Sequence, residues 1–447
     1  MAALPQEEQE EQMRGEEYDS EDEDEVFCDP DTDPSVMRKV YVLEGQMDDE
    51  DEDEMEEAGA GGEDEEAGSN FAMRPDGYAE GREDEDEMDE ADQPVVEMSS
   101  AVLAGHTDAV YAVAVHPTNP DIIATASGDD TAGIWSKSGK AMRSTLSGHT
   151  DTVVDVAFSA SGTYLATAGM DGAVKVWNVE DGAPVVSLEG PSEDILWVQW
   201  HTKGDVVLAG STDMSVWMWS VPSGNCMAVF SGHSGAVNDG KFTPDGKHVV
   251  SVAQDCSARL WSPKDGQCLV TVHDPKGAGT FHLASVTCCD TKDDFVLTGS
   301  EDNTAMLTRI TYGGADALPT AKVVSILRHH EDAVEAVSFF GPEPFFATGG
   351  MDGKAFIYDL ATQSTPRVTC QHEAGVTQVK WHPLVAWLVT AGVDRTVRVW
   401  DAKSGASLAV WTGHTDMIMG LALSPDGRYV VSASDDHSAR VWEFPTQ

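Results

Sequence analysis

Seven aromatic residues mark out a fixed step in this chain. Trp135, Trp177, Trp219 and Trp261 stand 42 residues apart, and Tyr358, Trp400 and Trp442 resume the same step. A repeat of this length constrains a fold more than any composition does, because each unit must bury its apolar face against its neighbours. Trp261 and Tyr358 are 97 residues apart, which leaves room for two longer units, with Thr308 at the intervening marker position. An Asp stands six residues before every marker position: Asp129, Asp171, Asp213, Asp255, Asp302, Asp352, Asp394 and Asp436. A Gly-His or related pair opens most units, giving His106, His149, His233, His330, His372 and His414. The third unit has "GPSED" (190–194) in that place, and in the fifth Thr280 falls at the His position.

Within each unit the hydrophobic pattern is that of strands. Runs such as "AVYAVAVHP" (109–117) and "AVEAVSFFG" (333–341) follow the His, and a second run ends in small residues, as in "YLATAG" (164–169) and "FFATGG" (345–350). Turn residues separate them at short, regular intervals. The expected fold is all-β, an eight-bladed β-propeller of four-stranded blades over residues 94–447. Only "EFPTQ" follows Trp442, so the last blade lacks its outer strand. The segment "PVVEMSSAVLAG" (94–105) is placed to supply it, closing the ring and removing exposed edges.

Charge separates the remainder of the chain from this body. Residues 1–100 hold 40 of the 79 acidic residues but 5 of the 27 basic ones, within a formal net charge of −52. Runs such as "DDEDEDEMEE" repel themselves and offer too little apolar surface to order, so residues 1–93 are expected to be a disordered acidic tail. Its one apolar and basic island is "MRKVYVL" (37–43), read either as a docking element or as a solvated cluster. Ser20, in "YDSEDEDE", suits an acidophilic kinase. So acidic a chain is a poor direct ligand for nucleic acid or an anionic membrane, and its natural partner is a basic protein. The seven cysteines form no CxxC pair, and no run of about 18 apolar residues occurs. A soluble monomer in the cytoplasm, with the nucleus as a second compartment, is expected, with no cofactor.

His, Ser/Thr and Asp together also make hydrolase triads. Here His106, Ser127, Asp129 and Trp135 recur in most units, whereas an active site occurs once. The set reads as a hydrogen-bond network that ties each blade together. No phosphate-binding, nucleophile-elbow or zincin motif is present, so no enzymatic role and no metal are expected. In "HHED" (329–332) one His is structural and one is spare. "WDAK" (400–403) has Lys403 where an adaptor element of some propellers carries Arg.

The loop before each inner strand and the loop bearing the Asp are expected to open on one face. The residues they place there are Asp108, Asp151, Glu193, Asp194, Glu301, Glu331, Asp332, Glu335, Glu373, Asp416 and Asp435, with no Lys or Arg at those positions. Tyr111, Trp197, Met351, Met417 and Met419 are candidate apolar anchors beside them. Converging carboxylates focus a negative potential suited to a basic segment.

The repeats resemble the WD-repeat family across residues 94–447. Blade three, "DILWVQWHTKGDVVLAGSTDMSVWMWSVPSGNC" (194–226), resembles a subfamily within it. That subfamily includes angio-associated migratory cell protein of animals and a fungal chaperone of the large-subunit ribosomal protein L10 (uL16). The resemblance implies a ribosome-assembly chaperone that captures the basic N-terminal segment of that protein on the acidic face. Two other readings use the same scaffold: a histone-binding propeller and a ubiquitin-ligase adaptor.

Overall fold

The computed structural model describes residues 96–445, apart from 275 and 314–316. The tail, with Ser20 and residues 37–43, lies outside the described residues. The described residues form eight four-stranded antiparallel sheets and no helix. Blades 1 to 7 run outward in chain order. Blade 1 comprises Val110–Val115, Ile122–Ser127, Thr131–Ser136 and Ala141–Ser147. Each inner strand lies against the inner strands of both neighbouring blades, and that of blade 8 against blade 1, which closes the ring.

The sequence pattern follows from position in the ring. Second strands such as Ile122–Ser127 are buried along their whole length, because blades cover both faces. Large side chains do not fit on both sides there, so these strands are rich in Ala, Gly, Ser and Thr. Outer strands such as Ala141–Ser147 alternate exposed and covered residues. The core lies between consecutive blades: Trp135 packs with Leu103, Tyr429 and Val441 of blade 8, and Trp177 with Ile122 and Leu146 of blade 1.

Ala101–Ala104 pairs with Ser438–Glu443 as the fourth strand of blade 8. Leu103 is fully buried. Upstream, the Met98 N–H donates to Thr412 O, and Glu97 forms an ion pair with Arg440.

Candidate functional site

The repeated His and Asp form the network expected of them, through a different hydroxyl. In blade 1 His106 Nδ1 donates to Asp129 at 2.9 Å, and Nε2 accepts from Thr125 Oγ1 at 2.7 Å. Thr125 Oγ1 in turn accepts the Trp135 indole N–H at 2.8 Å. Ser127, the expected member, sits one pleat higher, where its hydroxyl donates to Asp108 O and accepts the Asp129 N–H. Thr167, Ser251, Thr390 and Ser432 take the Thr125 role in blades 2, 4, 7 and 8. Burial alone would raise the pKa of Asp171, but hydrogen bonds from His149 and from the Thr150 N–H outweigh it and hold the carboxyl below its ordinary value. The same balance holds Asp394 at about 2. These triads are satisfied, buried and repeated, which is structural chemistry.

Three blades depart from the rule. Blade 3 has neither the His nor the hydroxyl, since Ala209 fills the latter's place. Trp219 Nε1 donates instead to Glu189 O at 3.3 Å, and Trp217 stacks on Trp219. In blade 5 the His is His282, not Thr280: it bonds Asp302 and, at 2.8 Å, Thr298. His and Asp are 20 residues apart there, against 22 in most blades, so alignment by fixed spacing misses it. Thr308 holds the marker position as read. In blade 6 the spare His329 bonds the Tyr358 hydroxyl at 3.2 Å. Among the described residues no group of three or more His, Cys, Asp and Glu is placed to hold a metal.

The two loops of every blade do meet on one face. The N–H of the residue before each network Asp donates to a carbonyl at the entrance of the inner strand, as Gly128 to Ala109, Glu301 to Ser285, Met351 to Ala333 and Asp435 to Met417. Asp108, Asp151, Asp332 and Asp416 each accept the next residue's N–H through Oδ1, which fixes their orientation. A bulge then interrupts all eight inner strands at their second residue, in blade 6 between Val334 and Ala336. A bulge re-aims the extra side chain. At this position Asn238, Thr287 and Thr377 each donate to the first inner-strand carbonyl of the next blade. Glu335 occupies the same position in blade 6, and when ionised it has no hydrogen to donate.

The carboxylates gather into three clusters at blade junctions. Asp151, Glu193 and Asp194 meet between blades 2 and 3, and burial with the first two raises the Asp194 pKa. Asp108, Asp416 and Asp435 meet between blades 8 and 1, where burial and then Asp416 raise Asp435. Glu301, Asp332 and Glu335 meet between blades 5 and 6, where burial, then Glu301 and Asp332, push Glu335 up to about 7. In each cluster burial is the larger cause of the rise and the neighbouring carboxylates add to it. The remaining two carboxylates differ. Glu331 is paired with Lys354 at 2.9 Å, and Glu373 lies 3.7 Å from Arg398. Arg395 is also exposed in the neighbouring turn.

Two expected anchors are corrected. Trp197 is 7% exposed, its indole donating to Val237 O of blade 4 at 3.0 Å. It fits there because Gly210 and Gly240 leave room for the ring. Met419, at the bulge position of blade 8, is also buried. Tyr111, Met351 and Met417 are half-buried beside the carboxylates. Lys403 is held by Glu343 at 2.8 Å.

Comparison with known proteins bears on this arrangement. The family model "WD domain, G-beta repeat" matches residues 98–136, 140–178, 182–220, 224–262, 275–308, 321–359, 364–401 and 405–443. Curated relatives match over short stretches. Coronin-7 of Bos taurus is 38% identical over 73 residues, 16% of this chain and 8% of the relative. The uncharacterized WD repeat-containing protein C25H1.08c of Schizosaccharomyces pombe is 30% identical over 96 residues, 22% of this chain and 24% of the relative. The chain thus spans under a quarter of the length of each. Among solved structures, Sqt1 from Chaetomium thermophilum superposes with a TM-score of 0.72 at 20% identity, covering 79% of this chain and 100% of that one. The same protein bound to the N-terminus of the ribosomal protein L10 gives 0.71 at 21%, covering 78% and 100%. Saccharomyces cerevisiae Sqt1 gives 0.70 at 20%, again covering 78% and 100%.

Proposed function

The chain belongs to the WD domain, G-beta repeat family, and from that premise we propose that it is a dedicated, non-enzymatic chaperone for a basic ribosomal protein of the large subunit. Its acidic face takes the basic N-terminal segment of L10 and keeps it soluble until it joins the ribosome. The observation that carries this reading is the trio of carboxylate clusters at blade junctions on one face, each holding an acid whose pKa is raised. A bound guanidinium or ammonium relieves that repulsion, so the energy stored among the carboxylates returns on binding. The likeness to Sqt1 in complex with the L10 N-terminus supports the choice of cargo. We place the protein in the cytoplasm, with the nucleus as a second site, acting as a monomer.

The test reverses one acid of the blade 8–1 cluster, Asp108, and two of the blade 5–6 cluster, Asp332 and Glu335, all to Lys. The triple variant is expected to lose capture of the L10 N-terminal segment by at least a hundredfold while keeping its β-sheet spectrum. Capture at the original affinity by the folded variant refutes the acidic-face reading.

A further inference from the structure

The acidic face has one gap. Blades 1, 2, 3, 5, 6, 7 and 8 each contribute at least one of the eleven carboxylates, and blade 4 contributes none. Its loops present Ser234, Gly235 and Gln254, while its Asp255 is committed to His233 at 2.9 Å.

Beside that gap lie exposed apolar side chains. Met214, in the Asp turn of blade 3, is 44% exposed, and Leu283, just after His282 of blade 5, is 57% exposed. The other exposed large hydrophobics among the described residues lie in the N-terminal segment, on outer strands or in loops away from this face. The repeat fixes where these two sit. In blade 5 the residue after the network Asp, Asn303, bonds Glu331 O just after the His of blade 6. By the same geometry Met214 abuts the blade 4 loop at Ser234, and Cys256 of blade 4 abuts Leu283. The residue after the network Asp has a positive φ in every blade, and Met214, at +66°, stands where the others carry Gly172, Gly353, Asp130, Cys256, Asn303, Arg395 and His437. Met214 is the one large apolar side chain at this position, and it is left in water.

We infer that blade 4 is a subsite for an apolar side chain of the cargo, seated between Met214 and Leu283. This rests on the proposed function and deepens it. The occupant is a segment of a basic protein in which Arg or Lys residues flank a single large apolar residue. The charge pattern argues for this occupant. The two blades that flank the gap carry carboxylates at their far junctions, Glu193 and Asp194 of blade 3 towards blade 2 and Glu301 of blade 5 towards blade 6. A purely apolar segment would have to cover them without compensation, and a purely basic one would leave the apolar surface exposed.

The experiment uses the full chain and two synthetic peptides of equal charge, each with two arginines on either side of a central residue. That residue is leucine in one peptide and serine in the other. The leucine peptide is expected to bind about tenfold tighter, as burying one such side chain implies, and the ratio is expected to persist as salt is raised. The double variant Met214→Ser, Leu283→Ser is expected to abolish the ratio and leave the serine peptide's affinity within twofold. Equal affinities for the two peptides, or a ratio that survives in the double variant, overturns the subsite alone. Failure of both peptides to bind overturns the basic-partner reading with it. Both substituted side chains are solvent-exposed, and an unchanged melting curve checks that the variant is folded.

Discussion

Glu335→Gln is expected to make the protein more stable and a poorer binder. The bulge position that Glu335 occupies carries a hydrogen-bond donor in Asn238, Thr287 and Thr377, each satisfying a carbonyl of the next blade. An ionised glutamate cannot do this and also repels Glu301 and Asp332. Its pKa of about 7 is raised from 4.5. A raised carboxyl pKa favours the folded state fully below the unfolded value near 4.5, and that advantage is lost as pH rises through 7. The shift sets an upper limit of about 3 kcal/mol above pH 7, and the partial exposure of Glu335 reduces this to roughly 1–2 kcal/mol. Gln removes the charge and supplies an amide donor like that of Asn238. In thermal melts across pH, the variant is expected to melt a few degrees above the parent at pH 8. The gap should narrow towards pH 5, where the parent's Glu335 is largely protonated. A variant less stable than the parent at pH 8, or an advantage that does not depend on pH, refutes the reasoning.

Other perturbations follow from the same structure. Thr125→Val removes the hydroxyl shared by His106 and Trp135, and a loss of about 2 kcal/mol is expected in urea unfolding. Acid unfolding should steepen as pH falls from about 4 towards 2, because Asp394 and its counterparts hold depressed pKa values. Their stabilisation is present above the unfolded value of 3.8 and is lost as they protonate, which circular dichroism follows. Truncation through Ala104 removes the fourth strand of blade 8 and exposes the Ser438–Glu443 edge, so the protein is expected to aggregate in light scattering.

The eight blades, their order and the closing strand were legible because they rest on local repeats. Each Trp, Asp and turn recurs at a spacing set by strand length. The residues that escaped sequence reading depend on distances between strands. Thr125 and Ser127 lie two apart on the same strand face, and only the reach of His106 and Trp135 selects between them. His282 escapes a fixed-spacing reading because the hairpin between the inner and second strands of blade 5, residues 293–294, is shorter than in the other blades. The pairing of Lys354 with Glu331 joins residues 23 apart, and no pattern in the loops foretells it. Trp197 reads as an anchor because it stands among acidic loop residues, yet two glycines in second and inner strands make room for it indoors.

The account's central claim is the identity of what the acidic face holds, and one measurement addresses it most directly. Ribosomes recovered through the tagged full-length protein carry the messages of the chains it has captured, and those messages can be sequenced. The account predicts strong enrichment of the message for ribosomal protein L10, lost in the Asp108, Asp332 and Glu335 charge-reversal variant. Enrichment of a histone message, or of none, would contradict it.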